Sequence, residues 1–305
     1  MMSSLWSLRM QLFGRLLASL TMLLIPTLVI AQDQTALVRV NGKPITEQDL
    51  RLQFLTRNIP AEQQPALREK FLNDLIDQRL VQEYLQEQNV RVNKARVEES
   101  LAKVYQIIRE ADRDPAEVLA RLGLDENMLR QELMLPLAWQ VHLEEKVPPE
   151  KLRQFFESRH QQFDGTKLRL RQVFLRVPDG EEDAALKKLM QIKMQVEMGS
   201  LDFAAAARQY SEAPTASKGG DLGFVPYEGE MPVTITGPAF ELKQGEISEP
   251  YLSPFGAHLV QVVDTQPGEL SLEDVRTEVW NAMSDDGWQT IVDRRRKDAR
   301  IEWAE

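Results

Sequence analysis

The sequence predicts an α+β protein, on three observations. Between residues 46 and 165 the apolar positions recur every three or four residues, the period of helices with one buried face. Beyond Gly165 the alternating stretches LRLRQVFLRV and GAHLVQVVD bracket helical segments, an order of strand, helices and returning strands. The chain closes on another short alternating stretch, ARIEW, which has no strand beside it in sequence; ALVRVNG, at residues 36–42, is in the same position. A lone strand is not stable, so these two are expected to pair. The helical part is then built from both ends of the chain, and the α+β part is an insertion.

Taken in order, the first thirty-one residues stand apart. Arg9 and Arg15 precede the apolar run LLASLTMLLIPTLVIA, no acid occurs before Asp33, and Val29 and Ala31 are small residues suited to a cleavage site. This reads as a secretory signal cleaved after Ala31. A retained membrane anchor is the alternative, but Pro26 interrupts the run, which is shorter than the ~20 apolar residues of a spanning helix. No other stretch is apolar enough to span a bilayer.

ALVRVNG reads as a strand ending in the turn Asn41-Gly42, and Thr46, with an acid three residues on, opens a helix in the manner of a capping box. Phe71, Leu72, Leu75, Ile76, Leu80 and Tyr84 mark a helix over 66–89. Others are expected over 93–110, 115–122 and 125–146, with Pro136 as a kink. VPPEKLRQFFESRHQQFDG reads as a last helix stopped by Asp164-Gly165. After the strand at 168–177 come helices over 181–198 and in DFAAAARQY, and then a polar loop, YSEAPTASKGGDLGF, at 210–224. GPAFEL reads as a turn or two of helix, EPYLS and GAHLVQVVD as strands joined across Pro254, and 271–298 as a long helix before ARIEW. The expected domains are thus a signal at 1–31, a helical domain at 32–165, an α+β domain at 166–265, and a segment at 266–305 that completes the helical domain.

Composition narrows the function. With 305 residues, 43% hydrophobic and 28% charged, the chain can bury one large or two modest cores. Removing the signal takes away two arginines and no acid, leaving 35 basic against 47 acidic residues and a formal charge of −12. Such an acidic balance argues against a nucleic-acid partner. There is no cysteine, hence no disulfide, no thiolate nucleophile and no lipid-bearing cysteine, which suits a soluble protein of an oxidising bacterial envelope. His142, His160 and His258 lack partners at ligand spacing, so neither a metal nor another cofactor is expected. The basic run DRRRKD at 293–298 is expected to suit the end of a helix dipole and solvent.

YSEAPTASKGGDLGF, followed by EGEM, PAFELKQGEISEP and GAHLVQV, resembles the parvulin family of peptidyl-prolyl isomerases over about a hundred residues, with several motifs in order. The whole layout resembles the SurA-type periplasmic chaperones and PrsA-type foldases. It differs from the first in having one parvulin domain where SurA has two, and from the second in lacking a lipid-attachment cysteine. The resemblance implies a helical chaperone domain with an inserted parvulin domain, located in the periplasm. Its partners would be unfolded or extended polypeptides, outer-membrane proteins above all. Rotation about an X-Pro bond faces a barrier near ~20 kcal/mol, and lowering it needs only a site that grips the ring and favours the twisted amide.

By the same resemblance Leu222, Met231 and Ile235 line the proline pocket, with Leu222 placed on its floor by the preceding glycines; by pattern alone each would be core. Parvulins usually carry a histidine on the first strand, a cysteine or aspartate after the YS pair, and a second histidine on the last strand. Here these positions hold Gln172, Ala213 and His258, so only one is kept. A glutamine can still hydrogen-bond an imidazole, which leaves a Gln172–His258 pair as an expectation. Ser253 stands where the family often has a hydroxyl, and Phe255 where some members have serine. Two readings follow: a chaperone whose parvulin domain recognises proline segments with weak or absent catalysis, or a fully active isomerase with an unusual centre. An envelope structural protein with a borrowed fold is a third.

Overall fold

The computed structural model describes residues 36–304 except Asn58, Leu122 and Leu124, so the expected signal segment lies outside the described residues. The chain forms two compact units: one is Lys151–Trp280, and the other runs up to Glu150 and resumes at Asn281.

The helical unit begins with β1 (Ala36–Val40) and β2 (Lys43–Thr46), a hairpin turned at Asn41 and Gly42, whose φ angles are 51° and 81°. Left-handed conformations at both positions are what a two-residue hairpin needs, and Asn-Gly supplies them. The strand β2 was not expected. It lies at a sheet edge, where Pro44 costs no ladder hydrogen bond. Thr46 and Asp49 then form the capping box, with Thr46 N donating to the Asp49 carboxylate (2.7 Å) and Asp49 N to the Thr46 hydroxyl (3.3 Å). The helices that follow are α1 (Glu47–Thr56), α2 (Gln64–Glu87), α3 (Lys94–Glu110), α4 (Pro115–Arg121) and α5 (Glu126–Lys146). Asn93 and Asp125 cap α3 and α5, their side chains accepting from Ala95 N and Met128 N. α5 runs on through Pro136.

The end of the chain completes this unit. β7 (Ile301–Trp303) pairs antiparallel with β1, Val38 opposite Trp303 and Val40 opposite Ile301, giving the strand order β2-β1-β7. Val38, Val40, Ile45, Ile76 and Leu80 are buried beneath it, and each such side chain contributes roughly 1.5–3 kcal/mol. The long helix expected over 271–298 starts at Arg276 (α11, Arg276–Asp298). Its basic run is not simply a solvated helix end. Arg295 pairs with Glu87 and Arg296 with Asp77, both on α2, so these arginines fasten α11 to α2.

The other unit is a four-stranded antiparallel sheet in the order β4-β3-β6-β5. β3 (Lys167–Leu175) and β6 (Gly256–Gln266) form its centre, β4 (Asp221–Pro226) and β5 (Tyr251–Ser253) its edges. α8 (Glu182–Glu197) and α9 (Phe203–Tyr210) cover one face, where Val173, Leu189, Phe203 and Leu259 meet. α10 (Val233–Phe240) covers the other, over Leu168, Leu170, Val260 and Val262. Two expectations change here. The stretch 221–226 is a strand, so Leu222 sits in a sheet rather than on a loop. The last helix expected before Gly165 is two, α6 (Pro149–Ser158) and α7 (His160–Phe163), broken at Arg159.

The unit is also wider than the span 166–265. The segments entering and leaving the sheet are tied together: Leu270 N donates to the Asp164 carbonyl (2.9 Å) and Gly268 N to the Thr166 hydroxyl (3.0 Å). Hydrogen bonds between residues so far apart in sequence leave no periodic signal.

Candidate functional site

The paired glycines stand where side chains would crowd the backbone. Gly219 and Gly220 both have positive φ, and a Cβ on Gly220 would lie 2.3 Å from the Gln172 carbonyl oxygen. Gln172 N donates to the Gly220 carbonyl at 3.0 Å. The glycines thus let the loop lie against β3, and they launch β4 along it. Upstream, the Ser211 hydroxyl accepts from Phe174 N (3.1 Å) and Ala213 N (3.3 Å), fixing the start of the loop on the same strand.

His258 lies on β6, 2% exposed, directly opposite Phe174 on one side and Tyr251 on the other. Tyr251 stacks on the imidazole with centroids 5.4 Å apart and planes at 17°, and Phe174 packs at 5.1 Å. The ring's Nε2 is 2.7 Å from the Ser253 hydroxyl, which also accepts from Phe255 N at 3.1 Å. Burial pushes the His258 pKa down to about 4, so the imidazole is neutral at pH 7.

The expected Gln172–His258 hydrogen bond is not formed. Gln172 is 8% exposed and stands opposite Val260, and both its Oε1 and the His258 Nδ1 are buried without a partner. The register makes the two diagonal neighbours on adjacent strands rather than a directly opposed pair. Ala213 is buried and brings no polar side chain. On this face the neutral, buried His258 is therefore held by Ser253, without the chain of hydrogen bonds that the family resemblance implied.

The apolar residues divide. Leu222 and Met231 pack partly buried against the core under α10. Ile235 is buried on α10, and its carbonyl accepts the Tyr251 hydroxyl at 2.9 Å. Phe255 stands out at the β5–β6 turn, 58% exposed. Sequence reasoning missed Tyr251 and Phe174. Counting back across the Ser253–Gly256 turn places Tyr251 opposite His258, and that count was available.

The helical unit has a cleft of its own, about 340 Å³ in volume, between α1, α2, α3 and α5. Ile45, Leu75, Leu133 and Leu135 give it apolar walls, and Gln53, Gln78, Gln82 and Gln131 give it amides. An amide side chain donates and accepts together, as a peptide group does.

Residues 173–264 match the family model described as Rotamase, PPIC-type PPIASE domain. The sheet unit thus carries a parvulin domain of the PPIC type. Chaperone SurA from Albidiferax ferrireducens is 37% identical over 148 residues, which are 46% of this chain and 29% of that protein. Chaperone SurA from Bordetella avium is 37% identical over 124 residues, 41% of this chain and 23% of that one. The chain is similar to chaperone SurA over these stretches, which are less than a third of the length of the two proteins. A solved structure of the peptidylprolyl isomerase PrsA from Bacillus cereus aligns over 90% of this chain and 95% of its own, at 20% identity and a TM-score of 0.41. Among the described residues no helix is long and apolar enough to cross a membrane.

Proposed function

We propose that this protein is a periplasmic chaperone that binds unfolded exported polypeptides, outer-membrane proteins among them. Its parvulin domain recognises proline-containing segments and has weak or no isomerase activity. The observation that carries the reading is the polar centre: Ala213 is buried with no polar group, and the Gln172 Oε1 and His258 Nδ1 are unpartnered. Groups that strengthen their contacts in the twisted amide are missing, while the apolar wall of Leu222, Met231 and Ile235 remains for ground-state binding. The cleft in the helical unit supports client binding, since its volume and amides suit a few residues of extended chain. The residues proposed to act on the proline segment are His258, Gln172 and Ser253 at the amide, with Leu222, Met231, Ile235 and Phe255 against the ring and its neighbours.

A fully active isomerase is the second reading, favoured by the neutral His258 and its 2.7 Å contact with Ser253. Two measurements on residues 32–305 separate the readings. Suppression of light scattering by a diluted, denatured outer-membrane protein is expected, and no suppression at several-fold excess removes the chaperone reading. Isomerisation of a proline tetrapeptide at the rate of an ordinary parvulin, measured side by side, selects the second.

A further inference from the structure

Tyr251 holds two parts of the parvulin face at once. Its ring lies parallel to the His258 imidazole on the sheet, and its hydroxyl donates to the carbonyl of Ile235 on α10. α10 has only eight residues and contains Pro238, which has no N–H to give. So short and interrupted a helix depends on outside contacts for its place. Besides its apolar packing on the sheet, two side-chain hydrogen bonds are evident: the Thr236 hydroxyl donates to the Tyr227 carbonyl at 2.6 Å, and the Tyr251 hydroxyl to Ile235 at 2.9 Å. The first ties α10 to the segment just before it. The second is a side-chain hydrogen bond to the strand pair that carries His258.

We propose that Tyr251 is the positioning residue of this site, fixing the spacing between the sheet floor at His258 and the wall helix at Ile235, and so the grip on a proline segment. The proposal rests on the reading of this face as a peptide-recognition surface. Tyr251 is directly opposite His258 in the β5–β6 ladder, so the ring stack leaves its hydroxyl little freedom to swing. Its hydroxyl is engaged by Ile235, and burial raises its pKa, so the phenol stays protonated and keeps donating.

The test compares Tyr251→Phe, which keeps the stack and removes the hydroxyl, with Tyr251→Leu, which removes both, in the full chain. Backbone hydrogen exchange is read at 233–240, His258 is titrated by NMR, and binding of a fluorescein-labelled peptide with one central Ala-Pro is followed by anisotropy. In Tyr251→Phe the α10 amides are expected to exchange about fivefold faster or more, the loss of one hydrogen bond. Peptide affinity is expected to fall by a similar factor and the His258 titration to stay put; a substitution that merely loosened the sheet would move all three. Tyr251→Leu is expected to shift the titration as well. Unchanged exchange and affinity in Tyr251→Phe overturn the positioning role. A wild-type chain that binds no peptide, with exchange still altered in the variant, overturns the recognition reading instead and leaves Tyr251 a purely structural tether.

Discussion

Arg296 and Asp77 are 219 residues apart in sequence, and Arg296 Nε donates to the Asp77 carboxylate at 2.6 Å. The same guanidinium reaches the Asn73 carbonyl at 3.3 Å, so one side chain on α11 engages two positions on α2. With Arg295 on Glu87, this fastens the end of the chain to a helix near its beginning.

Arg296→Ala is therefore expected to lower the stability of the helical unit by about 1 kcal/mol, a figure kept small because both side chains retain some solvent. Deleting residues 299–305 takes away β7 as well and is expected to cost more. Calorimetry reads both. A truncated chain with an unchanged melting transition contradicts the pairing of β1 with β7.

Acid should loosen the helical unit through His142. Its ring stacks on Trp139 at 5.6 Å, meets Tyr84 edge-on at 5.3 Å, and has a buried Nδ1 with no partner. Burial first, then Lys146, hold its pKa below the ordinary value, while Glu145 opposes them. The unfolded chain then takes up a proton that the native ring resists. Stability from this ring is full above about pH 6.5, the free imidazole value, and is lost as pH falls below it. His142→Phe is expected to flatten that dependence, followed by the fluorescence of Trp139 and Trp288, whose rings are 5.3 Å apart. A variant that loses stability with acid as steeply as the wild type rules the ring out.

Restoring polar groups should raise isomerisation. Ala213→Asp with Gln172→His is expected to increase the rate on a proline tetrapeptide about tenfold or more, because groups acting on the twisted amide lower the barrier more than they change binding. Met231→Ala is expected to weaken peptide binding in either background. A double variant no faster than the parent shows that these two positions do not limit the rate.

Gly220→Ala should destabilise the parvulin unit by about 1–3 kcal/mol, since φ is +75° and the new methyl would meet the Gln172 carbonyl at 2.3 Å. A denaturation midpoint equal to that of the wild type would mean that the loop can lift from β3 at no cost.

The sequence by itself determined what depends on near neighbours. The capping box at Thr46 and Asp49, the caps at Asn93 and Asp125, the Asn41-Gly42 turn and the apolar faces of α2, α3 and α5 all rest on groups within a few residues of one another. The motifs around Gly219-Gly220 likewise made the parvulin domain legible, and the unpaired strand ARIEW implied its partner ALVRVNG. What only the tertiary structure decided involves groups brought together by register across strands or by helix docking. Local spacing carries no record of which backbone lies beside which, so β4 and the wider limits of the sheet unit were not foreseen. For the same reason Gln172 and His258, both rightly placed on the sheet, were expected to hydrogen-bond. The register sets them diagonally instead, with Ser253 and Tyr251 taking the places beside the imidazole. The basic run at 293–298 reads as a solvated helix end until α11 lies against α2; the approach of Glu87 and Asp77 then makes it an anchor.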